Sequence, residues 1–292
     1  IAQNGPGITG LLTPIKTAYW NHTPLLLVTP QAANKTMGQG GFQEVEQMNL
    51  FKDMVCYQEE VRDPSRMAEV LNRVIEKAIR GSAPAQINVP RDYWTQVIDI
   101  ELPPIVRLER QGGGAEAIDK AAKLLSNAKF PVILSGAGVV IGGAIEETKK
   151  LAEKLDSPVC SGYQHNDSFP GSHPLAVGPL GYNGSKAAME LISKADVVLA
   201  LGTRLNPFST LPGYGIDYWP KNASIIQVDI NPDRIGLTKK VTVGISGDAK
   251  LVAQQIFDKL SSNAGDTDRQ KRKDLIHQTK SAWLQKLSSL DH

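Results

Sequence analysis

Ile1-Ala2-Gln3-Asn4-Gly5-Pro6-Gly7-Ile8 reads as the end of a strand running into a rigid, side-chain-poor turn and then into a helix over residues 8–21. A proline between two glycines fixes one φ angle and leaves both neighbours without a Cβ, so a flat ligand can approach the backbone at little steric cost. Such a turn at a helix N-terminus is a binding place in an α/β protein. A lone Gly-Pro-Gly more often only redirects the chain, so its surroundings decide.

Working outward, apolar runs at 24–29 and 85–89 read as strands. Between them Met67, Val70, Leu71, Val74, Ile75, Ala78 and Ile79 recur at helical spacing, started by Asp63-Pro64 and stopped near Gly81. Strand, helix, strand predicts parallel pairing. Pro103-Pro104 and Gly112-Gly113-Gly114 bracket a stretch without period, as a linker would. A second alternation follows: helices at 115–128, 144–155, 185–195 and 248–260, strands at 131–135, 157–161, 196–202, 224–230 and 241–245. The expectation is an α/β protein with two doubly wound parallel-sheet domains, 1–103 and 115–262, joined by a linker at 104–114. Residues 263–292 read as a linker and a helix leading to something beyond the chain.

Length and composition fit this. The 292 residues can hold two cores, and 41% hydrophobic with 21% charged residues is ordinary for a globular protein. A net charge of +2 gives no field to recruit nucleic acid or a membrane. The basic run 269–273 is interleaved with acids, which favours a solvated helix face. Cys56 and Cys160 have neither disulfide-framework nor zinc spacing and read as quiet thiols in a cytoplasmic protein. No apolar run reaches membrane-spanning length, and no signal peptide is recognisable.

Residues 4–21, 23–30, 42–46, 87–92 and 132–138 follow the order and spacing of the thiamine diphosphate enzymes built like acetolactate synthase and pyruvate oxidase. The chain resembles that family along nearly its whole length. The resemblance implies that 1–103 is part of a pyrimidine-binding domain and 115–262 a Rossmann-like central domain. It further implies that 263–292 leads toward an absent diphosphate-binding domain. Starting at Ile1, without a methionine, the chain reads as a fragment lacking the start of the first domain and all of the third, and inactive by itself.

The family places its Gly-Pro-Gly turn against the aminopyrimidine ring, which makes Asn4, Gly5, Pro6 and Gly7 the expected cofactor-binding residues. Its Phe-Gln pair lies near the thiazolium carbon, usually across a subunit interface, which makes Phe42 and Gln43 the expected catalytic residues. An amide suits that place because it can donate to and accept from a substrate oxygen without competing for protons, and a phenyl ring excludes water. The blander reading makes Phe42 core and Gln43 a surface amide. The family's catalytic glutamate precedes the turn and lies outside the chain, and Glu44 and Glu46 do not replace it. Magnesium ligands are also expected outside the chain: Gly247-Asp248-Ala249 departs from the family's Gly-Asp-Gly, and Asp248 reads as a helix cap. No metal ligand is assigned.

Ser135-Gly136-Ala137-Gly138 imitates a dinucleotide fingerprint, but the third glycine falls at Gly142 instead of position 141, and FAD is not expected. Arg204 and Asp229 end strands and read as a structural ion pair or loop charges, and His165 and His173 as satisfied loop histidines. Within the family, residues 1–20, 35–47 and 163–183 resemble a branch that transfers an acetyl group from sulfoacetaldehyde to phosphate. The alternatives are an acetolactate synthase-like carboligase acting on pyruvate and, from another class, a non-catalytic nucleotide-binding module. A cofactor shared between subunits implies a homodimer or homotetramer.

Overall fold

The structure, a computed structural model, describes residues 1–104, 106, 108–266 and 268–290. The chain divides into two compact units, Ile1–Arg107 and Leu108–His292. Ile105, Arg107, Thr267, Asp291 and His292, which fall in the expected linker 104–114 and tail 263–292, lie outside the described residues.

In the first unit the turn opens α1 (Pro6–Thr9), followed by α2 (Leu12–Trp20) and not by one helix from residue 8. The break has a physical cause at Pro14. In a continuous helix its ring would meet the carbonyl of Gly10, whereas a helix starting at Leu12 holds the proline in its first turn, where no donor is needed. Residues 1–3 join no ladder among the described residues and are not strand. β1 (Leu25–Gln31), α3 (Gln47–Phe51), β2 (Tyr57–Glu60), α4 (Met67–Gly81) and β3 (Pro84–Pro90) follow. The three strands form a parallel sheet in the order β1-β3-β2.

The two faces of that sheet differ. On one, Ala85, Ile87 and Val89 pack against Val70, Val74 and Ala78 of α4. On the other, Leu27 packs with Ile8, Ile15, Phe51 and Val55, and the same face turns polar toward the carboxyl ends of the strands. There Gln86 Nε2 donates to Thr29 Oγ1 (2.9 Å), Thr29 Oγ1 to Asn88 Oδ1 (2.6 Å), and Asn88 Nδ2 to Glu60 Oε2 (2.6 Å). These buried groups satisfy one another, the condition for stable polar burial.

The second unit contains α5 (Ala115–Ser126), β4 (Pro131–Ser135), α6 (Ala137–Gly142), α7 (Ile145–Leu155), β5 (Val159–Ser161) and β6 (Ala176–Pro179). It continues with α8 (Lys186–Ile192), β7 (Val197–Leu201), β8 (Ser224–Asp229), β9 (Val243–Ser246), α9 (Ala249–Lys259) and α10 (Arg269–Ser288). All six strands are parallel, in the order β6-β5-β4-β7-β8-β9, so the winding reverses between β4 and β7. Alternate strand residues feed two cores: Ile133, Leu199 and Ile226 face α5, α7 and α9, and Val132, Val198 and Ile225 face α8.

The helix α10 docks on this unit. Ile276 joins the α8-side core, and Arg272, 2% exposed, donates to the carbonyls of Asp156 (3.1 Å), Lys129 (2.7 Å), Leu155 (2.9 Å) and Gly265. Among the described residues no helix is long and apolar enough to cross a membrane.

Candidate cofactor site

The turn at residues 4–7 and the run Phe42-Gln43-Glu44 meet in the first unit. Gly5 takes φ 66° and ψ −116°, and a Cβ there would lie 2.8 Å from Gln43 O and 2.9 Å from Gln43 Cβ. Only glycine combines that angle with that approach. Its carbonyl accepts from Ile8 N (3.1 Å) and Thr9 N (3.0 Å), which closes the turn onto α1. Asn4 Nδ2 donates to Gln43 O (3.2 Å), so the residue before the glycine holds the main chain of the second motif. Pro6 is exposed at the crest.

Gln43 is itself in the left-handed region, φ 59°. For a residue with a long side chain this costs on the order of 1 kcal/mol, and such strain persists where surrounding contacts fix it. Here they do: Gln3 Nε2 donates to Gln43 Oε1 (3.0 Å) while Asn4 holds the carbonyl. The side-chain Nε2 of Gln43 has no acceptor among the described residues and is available as a donor. Phe42 is 81% exposed, an apolar ring standing in solvent in the single chain and not a core residue.

Sequence reasoning did not find Gln3, Gln31, Gln47 and Gln58, which hold these segments. Gln31 Nε2 donates to Val45 O (3.3 Å), Gln47 Nε2 to Pro30 O (2.6 Å) and Gln58 Nε2 to Met48 O (2.6 Å). One signal was present: Gln31 ends β1 on the carboxyl side, where parallel sheets place ligand-facing groups. Glu46 is exposed, whereas the Glu44 carboxylate is engaged by the main-chain N–H groups of Gly38 and Gly41. A cleft of about 620 Å³ also opens in this unit, lined by Gln31, Met37, Glu46, Gln58 and Glu60 among others, but by none of the six expected site residues.

In the second unit the glycines after β4 serve packing. Gly138 N donates to Gly202 O (2.8 Å), and a Cβ on Gly138 would lie 2.7 Å from Gly202 Cα. Asp229 is buried, accepts from Asn231 N (2.9 Å) and faces Arg234 Nη1 at 4.0 Å; burial raises its pKa. Arg204 is held below its usual pKa first by burial and then by Arg234. Asp248 caps α9, its Oδ1 accepting from Lys250 N (3.0 Å) and Leu251 N (3.2 Å). His173 accepts from Leu175 N (3.2 Å) and faces Glu153 (3.2 Å). Both thiols are free, and burial raises the pKa of each. Among the described residues no group of three or more His, Cys, Asp or Glu side chains is placed to hold a metal ion.

Residues 118–256 match the family model described as thiamine pyrophosphate enzyme, central domain. The fold is that of a benzoylformate decarboxylase from Polynucleobacter necessarius, with a TM-score of 0.78 and 22% identity over 91% of this chain and 50% of that one. The chain is similar over its whole length to thiamine pyrophosphate-dependent enzymes. Within them it is 79% identical over all 292 residues to a probable sulfoacetaldehyde acetyltransferase from Rhizobium meliloti (strain 1021), 49% of whose length is covered. A probable acetolactate synthase large subunit from Methanocaldococcus jannaschii is 36% identical over 265 residues, covering 88% of this chain and 44% of the relative. The chain thus spans about half the length of the relatives it matches.

Proposed function

We propose that the full-length protein is a thiamine diphosphate-dependent acyltransferase that converts sulfoacetaldehyde and phosphate to acetyl phosphate and sulfite. The observation that carries this reading is 79% identity, over the whole chain, to a relative named for that activity, against 36% to one named acetolactate synthase. In the net reaction the carbon–sulfur bond breaks and sulfite leaves with its electron pair. The aldehyde C–H bond breaks and its hydrogen leaves as a proton, the former sulfonate-bearing carbon takes a proton to become methyl, and the aldehyde carbon ends bonded to a phosphate oxygen. No external oxidant is needed.

Asn4, Gly5, Pro6 and Gly7 hold the aminopyrimidine edge. The fit is supported by the bareness of the turn: Gly5 and Gly7 carry no side chain, Pro6 stands exposed, and Asn4 is committed to Gln43. When bound, thiamine diphosphate supplies a nucleophilic carbon and an electron sink. Phe42 and Gln43 are the catalytic residues. With Oε1 of Gln43 held by Gln3, its Nε2 donates to the substrate oxygen on which charge develops, and the Phe42 ring excludes water. Magnesium would be held together with the cofactor by ligands outside residues 1–292, and FAD is not expected. A homodimer or homotetramer covers the exposed Phe42, and the enzyme works in the cytoplasm.

The full-length protein, supplied with thiamine diphosphate and magnesium, is expected to release acetyl phosphate from sulfoacetaldehyde and phosphate. Acetolactate from pyruvate without acetyl phosphate would assign it to the carboligases, and cofactor-independent nucleotide binding without turnover to a non-catalytic module. Replacing Gln43 with Ala is expected to lower kcat about 100-fold or more while cofactor affinity changes little, the size of effect seen when one oxyanion donor is removed. An unchanged kcat would count against its role.

A further inference from the structure

Phe42 and Gln43 are the two central residues of a tight turn whose corners are Gly41 and Glu44. The main chain closes it once, through Glu44 N donating to Gly41 O (3.1 Å). The side chain closes it again in the opposite sense: Gly41 N donates to Glu44 Oε2 (3.0 Å). The other carboxylate oxygen accepts from Gly38 N (2.6 Å), so one side chain ties both the turn and the glycine-rich segment before it. Bonds from N–H groups to a carboxylate are about twice as strong as neutral ones. They oppose the strain at Gln43, whose φ of 59° would otherwise relax toward the common negative region.

We infer that Glu44 is a positioning residue: its carboxylate locks the turn that presents Phe42 and Gln43, and it acts on the reaction through Gln43 without transferring a proton itself. The inference deepens the proposed function and rests on it for Gln43's role, but the lock stands on its own geometry. Glu44 needs no substrate contact, only two oxygens that accept and never donate. Glutamine at the same place presents an NH2 group to one of the two N–H groups and cannot serve both.

The test uses the full-length protein as the wild type, Glu44→Ala, Glu44→Gln, Gln43→Ala and the Gln43→Ala/Glu44→Ala double variant. Amide hydrogen exchange at Gly38 and Gly41 is expected to speed up in both Glu44 variants; unchanged exchange would overturn the lock. A loosened catalytic group loses on the order of 10- to 100-fold in kcat, and that loss is expected for both Glu44 variants with thiamine diphosphate affinity kept. The double variant is expected to be no slower than Gln43→Ala, because the donor through which Glu44 acts on the reaction is already gone; multiplied losses would show that Glu44 acts independently of Gln43. The pH profile of kcat/KM is expected to keep its shape, and loss of one limb would make Glu44 a proton carrier and refute positioning. If Gln43→Ala alone leaves kcat unchanged, the proposed function loses its donor and Glu44 its catalytic consequence, while the exchange rates still decide the lock.

Discussion

At Gly5 and Gln43, two backbones approach so closely that the identity of one residue dictates the position of the other. A Cβ on Gly5 would sit within van der Waals repulsion of Gln43 at a φ that side chains rarely adopt. Gly5→Ala therefore combines steric conflict with about 1–3 kcal/mol of backbone strain, and is expected to weaken thiamine diphosphate binding about 10-fold or more. Isothermal titration of the full-length protein, with circular dichroism as a check on folding, measures this; undiminished affinity would contradict the role of the turn. Asn4 to Gly7 could be read from the sequence because glycine and proline carry a conformational message in their identity. The amides that anchor the site could not: Gln3, Gln31, Gln47 and Gln58 have no spacing of their own, and glutamine is usually a surface residue. Their significance lies in partners across the fold that no local pattern encodes: main-chain carbonyls for Gln31, Gln47 and Gln58, and the Gln43 amide oxygen for Gln3.

At the scale of elements, the long apolar segments were legible and the short or polar ones were not. α4 shows a clean helical stripe, and β4 and β7 are nearly continuous apolar runs, as parallel strands covered on both faces should be. β2 is Tyr-Gln-Glu-Glu, an edge strand whose side chains feed a polar network, so it lacks the alternation by which strands are recognised. β6, which contains Gly178 and Pro179 beside a register shift, is masked by its own turn-forming residues. The split of the first helix is explained only when Pro14 is weighed against Gly10.

The helix α10 shows a loose stripe, and its anchor is a buried cation that a reading of apolar periodicity passes over. Replacing Arg272 with Leu strips four carbonyls of their donor. Buried groups left unsatisfied cost about 1–3 kcal/mol each, so a loss of roughly 3 kcal/mol or more in unfolding free energy is expected. A shift of the denaturant midpoint reads it. Arg272→Lys is expected to recover only part, since an ammonium has three donors in place of a five-donor fork. A midpoint unmoved by Arg272→Leu would mean that α10 is not held by this contact.

For the whole molecule, the alternation of strands and helices is enough to give two parallel α/β units, and both are present. Which ligand those units serve is a different question, since folds of this kind host many functions. The second unit alone, with its glycine loop packed against Gly202, is compatible with structure alone. What separates this chain from other α/β proteins is the meeting of Asn4-Gly5-Pro6-Gly7 with Phe42-Gln43-Glu44, a contact between segments 39 residues apart. The most direct measurement is a structure of the full-length protein loaded with thiamine diphosphate. The account predicts the aminopyrimidine edge against the backbone of Gly5 to Gly7, with Gln43 at the same site; a ring bound elsewhere, with this turn bare to solvent, would contradict it.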